Sequence, residues 1–530
     1  MTLKKTFAVG MSAALALGLA ACSSNNSENA ASSDSGTNYV LANGSEPQNP
    51  LIPANTNETG GGRIVDLIYS GLVYYDSEGQ AHNELAESIE LEGEKTYRIT
   101  LIEGATFADG TAITAEHFVN TWNHAVRESL LNAYFFEPIL GYEEGAESME
   151  GLQVVDERTF TVELTQPESD FPTRLGYSAF YPLPAEALED YAAFGENPVG
   201  NGPYKLLEWN HNSDLTIVPN ENYDGPRAAQ NDGVKFVFYA SQDAAYADLL
   251  AGNLDVLDAV PDSAFSQFES ELGDRAVNQP AAIFQSFTIP EKLEHFSGEE
   301  GVLRRQAISL AIDRNEVTDK IFQGTRTPAT DFSSPVVDGY SDAIEGNDVL
   351  EFNPERAREL WAQADAISPW SGEFTLSYNS DGGHQAWVDA VTNQLKNNLG
   401  IDAIGNPYPD FKSLRDDVTN RTISGAFRTG WQADYPLVSN FLVPLYATGA
   451  SSNDGDYSNA EFDALLKEAA NADSPEAGIA LYQQAQAILM RELPSIPLWY
   501  SNVTGGSSEA VSGVVFTWKS VPEYQSITKS

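Results

Sequence analysis

At 530 residues, with 77 acidic against 29 basic side chains and a formal net charge of −48, the chain is long enough for about two to four domains and too acidic to hold nucleic acid or anionic lipid through its protein surface. Its 42% hydrophobic and 20% charged residues are ordinary for globular protein and exclude a largely disordered chain. The single cysteine, Cys22, excludes an intrachain disulfide.

The chain opens with Lys4 and Lys5, then the mostly apolar run Phe7 to Ala21, the length of a signal-peptide core and short for a membrane span. Leu19-Ala20-Ala21-Cys22 resembles a bacterial lipobox. Residues 1–21 are therefore expected to be a lipoprotein signal peptide. Cys22 is the expected lipidation site, its acyl chains holding the mature chain on the outer side of the cell membrane, extracellular or periplasmic. Residues 22–38 are small and polar and predict a flexible tether.

Tyr39 to Ala42 predicts a strand, Asn49 to Gly62 a loop containing three successive glycines, and Arg63 to Tyr69 a helix. Residues 73–197 predict a small α+β unit. Thr96 to Leu101 alternates, Thr114 caps a helix burying Phe118, Val119, Trp122 and Val126, and Leu152 to Val155 pairs with Thr159 to Leu164. His117 and His124 lie seven apart on that helix, not at metal-ligand spacing, and read as surface residues. Gly200-Asn201-Gly202 runs into Pro203 and a strand, so it predicts a hinge or turn and not a phosphate loop. From about Ala282, helices (Ala357 to Ala364, Ala386 to Leu399) alternate with strands (Phe374 to Tyr378, Ala426 to Trp431), which predicts an α/β lobe. Ser458-Asn459-Ala460-Glu461 reads as a capping box, and Ile496 to Tyr500 as an extended segment.

The chemistry-bearing stretch is Gly425 to Pro436. A strand from Ala426 to Trp431 puts Phe427, Thr429 and Trp431 on one face and Arg428 on the other. Gly430 lets another backbone approach, and Asp434 follows between Trp431 and Tyr435. A cation, a carboxylate, aromatics and an accessible strand edge can hold a zwitterionic peptide. No nucleophile elbow or nucleoside-phosphate loop occurs, and Asn453-Asp454-Gly455-Asp456 lacks calcium-loop spacing. The reading is of a binding protein, not an enzyme, with no cofactor and no metal.

Five further segments carry a resemblance when taken in order: Ile102 to Gly110 with Thr114-Ala115-Glu116; Asn197 to Tyr204; Gly252-Asn253-Leu254-Asp255; Arg304 to Arg314; and Tyr457 to Asp463. Together they resemble the solute-binding proteins of bacterial ABC importers in the peptide/opine/nickel-binding group, most closely the oligopeptide binders. The resemblance implies an α/β type II periplasmic-binding fold, two lobes around a ligand cleft plus an extra small α+β domain. Lobe I would comprise residues 39–72, 198–282 and 501–530, the extra domain 73–197, and lobe II 283–500. It implies that Asp434 pairs with the ligand's α-amine and that Gly430 and Gln432 offer backbone bonds beside Trp431. Arg428 and His384 would stand near the ligand carboxylate, Tyr134 would be a pocket aromatic, and the loop from Asn55 to Thr59 would supply facing backbone. The implied partners are an oligopeptide and an ABC permease, with the receptor a monomer. The alternatives are another solute on the same fold (a dipeptide, a sugar, a metal chelate) or a secreted hydrolase using two carboxylates.

Overall fold

The computed structural model describes Asn38–Ser530, apart from residue 451 and the side chain of residue 381. The expected signal peptide, Cys22 and the tether up to residue 37 lie outside the described residues. No helix among the described residues is long and apolar enough to cross a membrane.

One mixed sheet runs through most of the chain. Its strands lie in the order Ala403–Tyr408, Phe374–Asn379, Ala426–Gln432, Ala276–Thr288, Ser495–Ser507, Val256–Leu257, Val40–Gly44, Val234–Phe238, Asp214–Pro219 and Tyr204–Asn210, with Arg326–Pro328 also paired to Ser495–Ser507. The two 13-residue strands at the centre join one half of the sheet to the other. They pair antiparallel from Ala276 opposite Gly506 to Thr288 opposite Ser495, but the register slips between Pro280 and Phe284. Pro280 has no N–H to give the ladder, so a break there is the less costly place for one. Beyond the slip the helices Gly298–Leu310, Pro354–Ile367, Gln385–Leu399 and Pro475–Glu492 cover the sheet around one apolar core. On the near side, Val40, Phe236, Val256, Tyr204 and Tyr524 belong to a separate core.

Arg314 helps fix the far half. It is buried and donates to the carbonyl oxygens of Pro497 (2.8 Å) and Leu350 (2.6 Å), while Asp313 caps the helix that follows by accepting from Glu316 N. Burial pulls the guanidinium down to about 9, against the opposing charge of Asp313.

The α+β unit is a four-stranded antiparallel sheet, in the order Ala86–Glu92, Thr96–Leu101, Thr159–Glu163, Leu152–Val154, beside helix Ala115–Arg127. Trp122 has no exposed surface, meets Phe118, Phe136, Phe160 and Phe180, and donates Nε1 to the Phe180 carbonyl at 3.0 Å.

Three local expectations need correction. The triple glycine is not loop: helix Thr59–Ile68 already contains it, because the Glu58 carboxylate accepts from Gly60 N and Gly61 N at 2.7 Å each and stabilises the helix start. Asn459, not Ser458, caps helix Ala460–Ala470, accepting from Glu461 N and Phe462 N. His124 is buried against Tyr191, and His117 Nδ1 accepts the Thr114 N–H at the helix start, so neither is a plain surface residue. The segment expected as a hinge or turn, Gly200 to Gly202, is an irregular bend leading into strand Tyr204–Asn210, held by buried Asn201, which accepts from Ser70 N and donates to Ser70 O.

Candidate functional site

Strand Ala426–Gln432 is paired along one edge with Ile283 to Thr288. On its other edge only Ala426 and Phe427 meet a partner, Leu376 and Ser377. Beyond Arg428 that edge has no ladder partner among the described residues. Which main-chain groups face it follows from one bond. Ala433 N donates to Ala282 O at 2.9 Å, in register with the ladder in which Gln432 stands opposite Ile283. Antiparallel pairs alternate between bonded and non-bonded, so Trp431, Thr429 and Phe427 exchange bonds with the long strand. Gly430 and Gln432 then direct N–H and C=O the other way, to the open edge. Gly430 and Gln432 are exposed. An edge of this kind is a template for another strand.

The edge ends at Asp434, which is held from behind by a residue the sequence reading missed. Asn440, itself buried, accepts from Trp431 Nε1 (3.0 Å) and from Asp434 N (2.9 Å), and donates Nδ2 to Asp434 Oδ2 (3.2 Å). One amide thus sets both the indole and the carboxylate. The next residues are clamped by the α+β unit: Tyr435 and Leu437 lie in its core, the Arg174 guanidinium sits 5.6 Å from the Tyr435 ring, and Ser439 Oγ donates to Asp170 Oδ2 at 2.8 Å. The Asp434 carboxylate meets solvent yet is ringed by protein. Lost hydration pushes it up to about 6, against the opposing pull of the Asn440 amide and of Lys519.

Aromatic hydroxyls and one ion pair face Asp434. Tyr75, Tyr134 and Tyr177 are all pushed above the ordinary tyrosine value, by burial first and with the Asp434 charge contributing to each. Tyr134 packs at a tilt against Phe135 (4.5 Å between ring centroids) and is 45% exposed, so its ring is accessible. Lys519 Nζ pairs with Asp66 Oδ2 at 3.1 Å. In the Asn55 to Thr59 segment Asn132 Nδ2 already takes the Thr56 carbonyl, and Thr59 begins a helix, which leaves less facing backbone than a loop would.

Arg428 lies at the mouth of the open edge, with Nε on Asn379 Oδ1 (2.8 Å) and its guanidinium 4.9 Å from the Phe411 ring. His384 stands at the start of helix Gln385–Leu399. Trp387 Nε1 donates to its Nδ1 at 3.1 Å, which puts the ring proton of the neutral form on Nε2. The two are thus built into different surroundings. Asp454, in the stretch tested for calcium, pairs instead with Arg415 and Arg421.

Three comparisons bear on this arrangement. The profile of the family described as "Bacterial extracellular solute-binding proteins, family 5 Middle" matches residues 80–453. The dipeptide-binding protein DppE of Bacillus subtilis is 26% identical over 540 residues, covering 97% of this chain and 96% of its own. A probable deoxycholate-binding periplasmic protein, YgiS of Escherichia coli, is 29% identical over 479 residues and 85% of each chain. Among solved structures, the unliganded open form of the murein tripeptide-binding protein MppA superposes with a TM-score of 0.79 at 23% identity, over 93% of this chain and 97% of that one. This last likeness establishes the fold: α/β, of type II, two-lobed, with the extra α+β domain.

Proposed function

This chain belongs to the bacterial extracellular solute-binding proteins of family 5, and on that premise we propose that it is the extracytoplasmic receptor that captures oligopeptides by their backbone and charged ends for an ABC permease. One observation carries the reading: an open strand edge, Thr429 to Gln432, that runs into a carboxylate whose charge is poorly solvated. A receptor for varied peptides must use what all peptides share. Strand addition uses the backbone, at about 0.5–1.5 kcal/mol net per hydrogen bond. The α-amine supplies the positive charge that a desolvated Asp434 lacks. Tyr134 and Trp431 would flank the bound chain.

Lobe I (39–72, 198–282, 501–530) and lobe II (283–500) would close about the slip between Pro280 and Phe284, excluding water from the pair. Titration with tetra-alanine tests this. Peptide should change tryptophan fluorescence, less so in Trp431→Phe, and X-ray scattering should show a smaller radius of gyration. A scattering profile unchanged at saturation would rule out closure.

Anchoring rests on Leu19-Ala20-Ala21-Cys22. Cys22→Ala should move the protein from the membrane fraction to the soluble one, with the far-ultraviolet circular dichroism of the folded part unchanged. A mutant that stays with the membranes removes the lipid anchor from the proposal. The protein is taken to act as a monomer, which the same scattering data report.

A further inference from the structure

The α+β unit, residues 73–197, is joined at both ends to segments assigned to lobe I, yet one corner of it grips residues assigned to lobe II. The turn Glu168-Ser169-Asp170 leads into the short helix Phe171–Arg174. Tyr97 Oη, from the unit's own sheet, donates to Glu168 O at 2.8 Å and fixes the turn. On the far side, Ser169 N donates at 2.8 Å to the carbonyl of Ala470, the last residue of helix Ala460–Ala470. Arg174 pairs with Glu168 and with Asp170, at 2.7 Å each.

Glu168, Asp170 and Ser439 are buried. One cation serves two carboxylates here, so the cluster is one positive charge short. The second oxygen of Asp170 is satisfied from across the boundary: Oδ2 takes its one hydrogen bond among the described residues from Ser439 Oγ, at 2.8 Å. Tyr482, on helix Pro475–Glu492, feels the same acid. It is pushed above the ordinary tyrosine value by burial first and then by the Asp170 charge. A buried carboxylate oxygen that depends on a donor from the facing body loses that bond when the two part. Parting them also wets Tyr435 and Leu437, which pack in the α+β core.

We propose that the Glu168–Arg174 corner is a restraint on opening. It is a third, non-covalent connection between the lobes, besides the strands Ala276–Thr288 and Ser495–Ser507, and it limits how far they swing about the slip between Pro280 and Phe284. The proposal rests on the closure proposed above and gives the α+β unit a part in it. A receptor held toward its bound shape gives up less freedom on binding, so losing the restraint weakens every ligand by one common factor.

X-ray scattering and calorimetry on Ser439→Ala and Asp170→Asn test this, with tetra-alanine and its N-acetyl form as ligands. Ser439→Ala deletes the bond across the boundary. Its peptide-free radius of gyration should exceed that of wild type, and its radius at saturation should match wild type. Both peptides should bind it about threefold or more weakly, by the same factor. Asp170→Asn leaves an amide that can still bond both neighbours, so it should shift both readings the same way and by less. Equal peptide-free radii in wild type and both variants overturn the restraint, whatever their melting temperatures. A loss confined to the free-ended peptide also overturns it, because the cluster would then act only by placing Asp434. If the wild-type radius does not change with peptide, closure fails and the restraint with it. If wild type closes and the variants open no further than wild type, the restraint alone fails.

Discussion

Asp434→Asn should weaken binding of a free-ended peptide by roughly 30-fold or more, because truncating one member of a buried charge pair typically costs about 2–5 kcal/mol. The substitution keeps the shape. Asn440 Nδ2, which now donates to Asp434 Oδ2, can still donate to an amide oxygen there, and the Asp434 N–H stays on Asn440 Oδ1. What is lost is the charge. N-acetylating the peptide removes the opposite charge and should weaken wild type by a similar factor. The two changes together should cost much less than their sum, since both delete one interaction. Calorimetry on the four combinations measures the coupling. Equal binding of acetylated and free peptides by wild type would show that Asp434 is not the amine anchor.

The same variant has a second signature. A folded-state value of about 6 lies above the ordinary aspartate value of 3.8, so the native protein binds more protons than the unfolded chain between those limits. Stability therefore falls as pH rises from about 4 through 6, and the full cost is present at neutral pH. Discounted for the solvent that Asp434 still meets, the cost is about 2 kcal/mol. Asp434→Asn should then be more stable than wild type at pH 7.5 in the absence of peptide and no more stable below about pH 4. A binding loss accompanied by a stability gain marks a residue kept for its ligand.

Strand Ala426–Gln432 and the proposed recognition chemistry it carries were legible in the sequence because that chemistry is local. Trp431, Asp434 and the small residue at 430 fall within one strand and its exit, where alternation alone says which side chains share a face. How far its accessible edge extends was not legible, because that depends on where Phe374–Asn379 stops pairing. Asn440 escaped for a related reason: an asparagine in the first turn of helix Ser439–Tyr446 suggests solvent or a cap, and only the fold turns it back onto Trp431 and Asp434. The central strand Ser495–Ser507 was seen only as Ile496 to Tyr500, because nearly all its residues are buried and the two-residue alternation disappears. At Gly60 to Gly62, glycine's preference for irregular backbone was overridden by one neighbouring carboxylate, Glu58.

Peptide affinity should fall in mild acid, and by an amount that Asp434 sets. The ligand's ammonium needs the ionised carboxylate, so a proton on Asp434 competes with the peptide. In the free protein that proton is held with a value of about 6; in the complex the ammonium beside it must lower the value. The dissociation constant should be flat from about pH 7 to 7.5, then rise toward tenfold per pH unit below 6, reaching about tenfold weaker binding at pH 5. Above about pH 7.5 loss of the peptide's own amine proton, about half complete near pH 8, should lower affinity again. Of the groups that face Asp434, Tyr75, Tyr134 and Tyr177 are all pushed further from this range, and Lys519 is paired with Asp66. They leave Asp434 as the group that titrates. Calorimetry at pH 6 in two buffers of different ionisation enthalpy should show about half a proton released per peptide bound. Asp434→Asn should release none and show no acid limb. An acid limb that persists in Asp434→Asn would place the titrating group elsewhere and break the link between the desolvated carboxylate and the peptide amine.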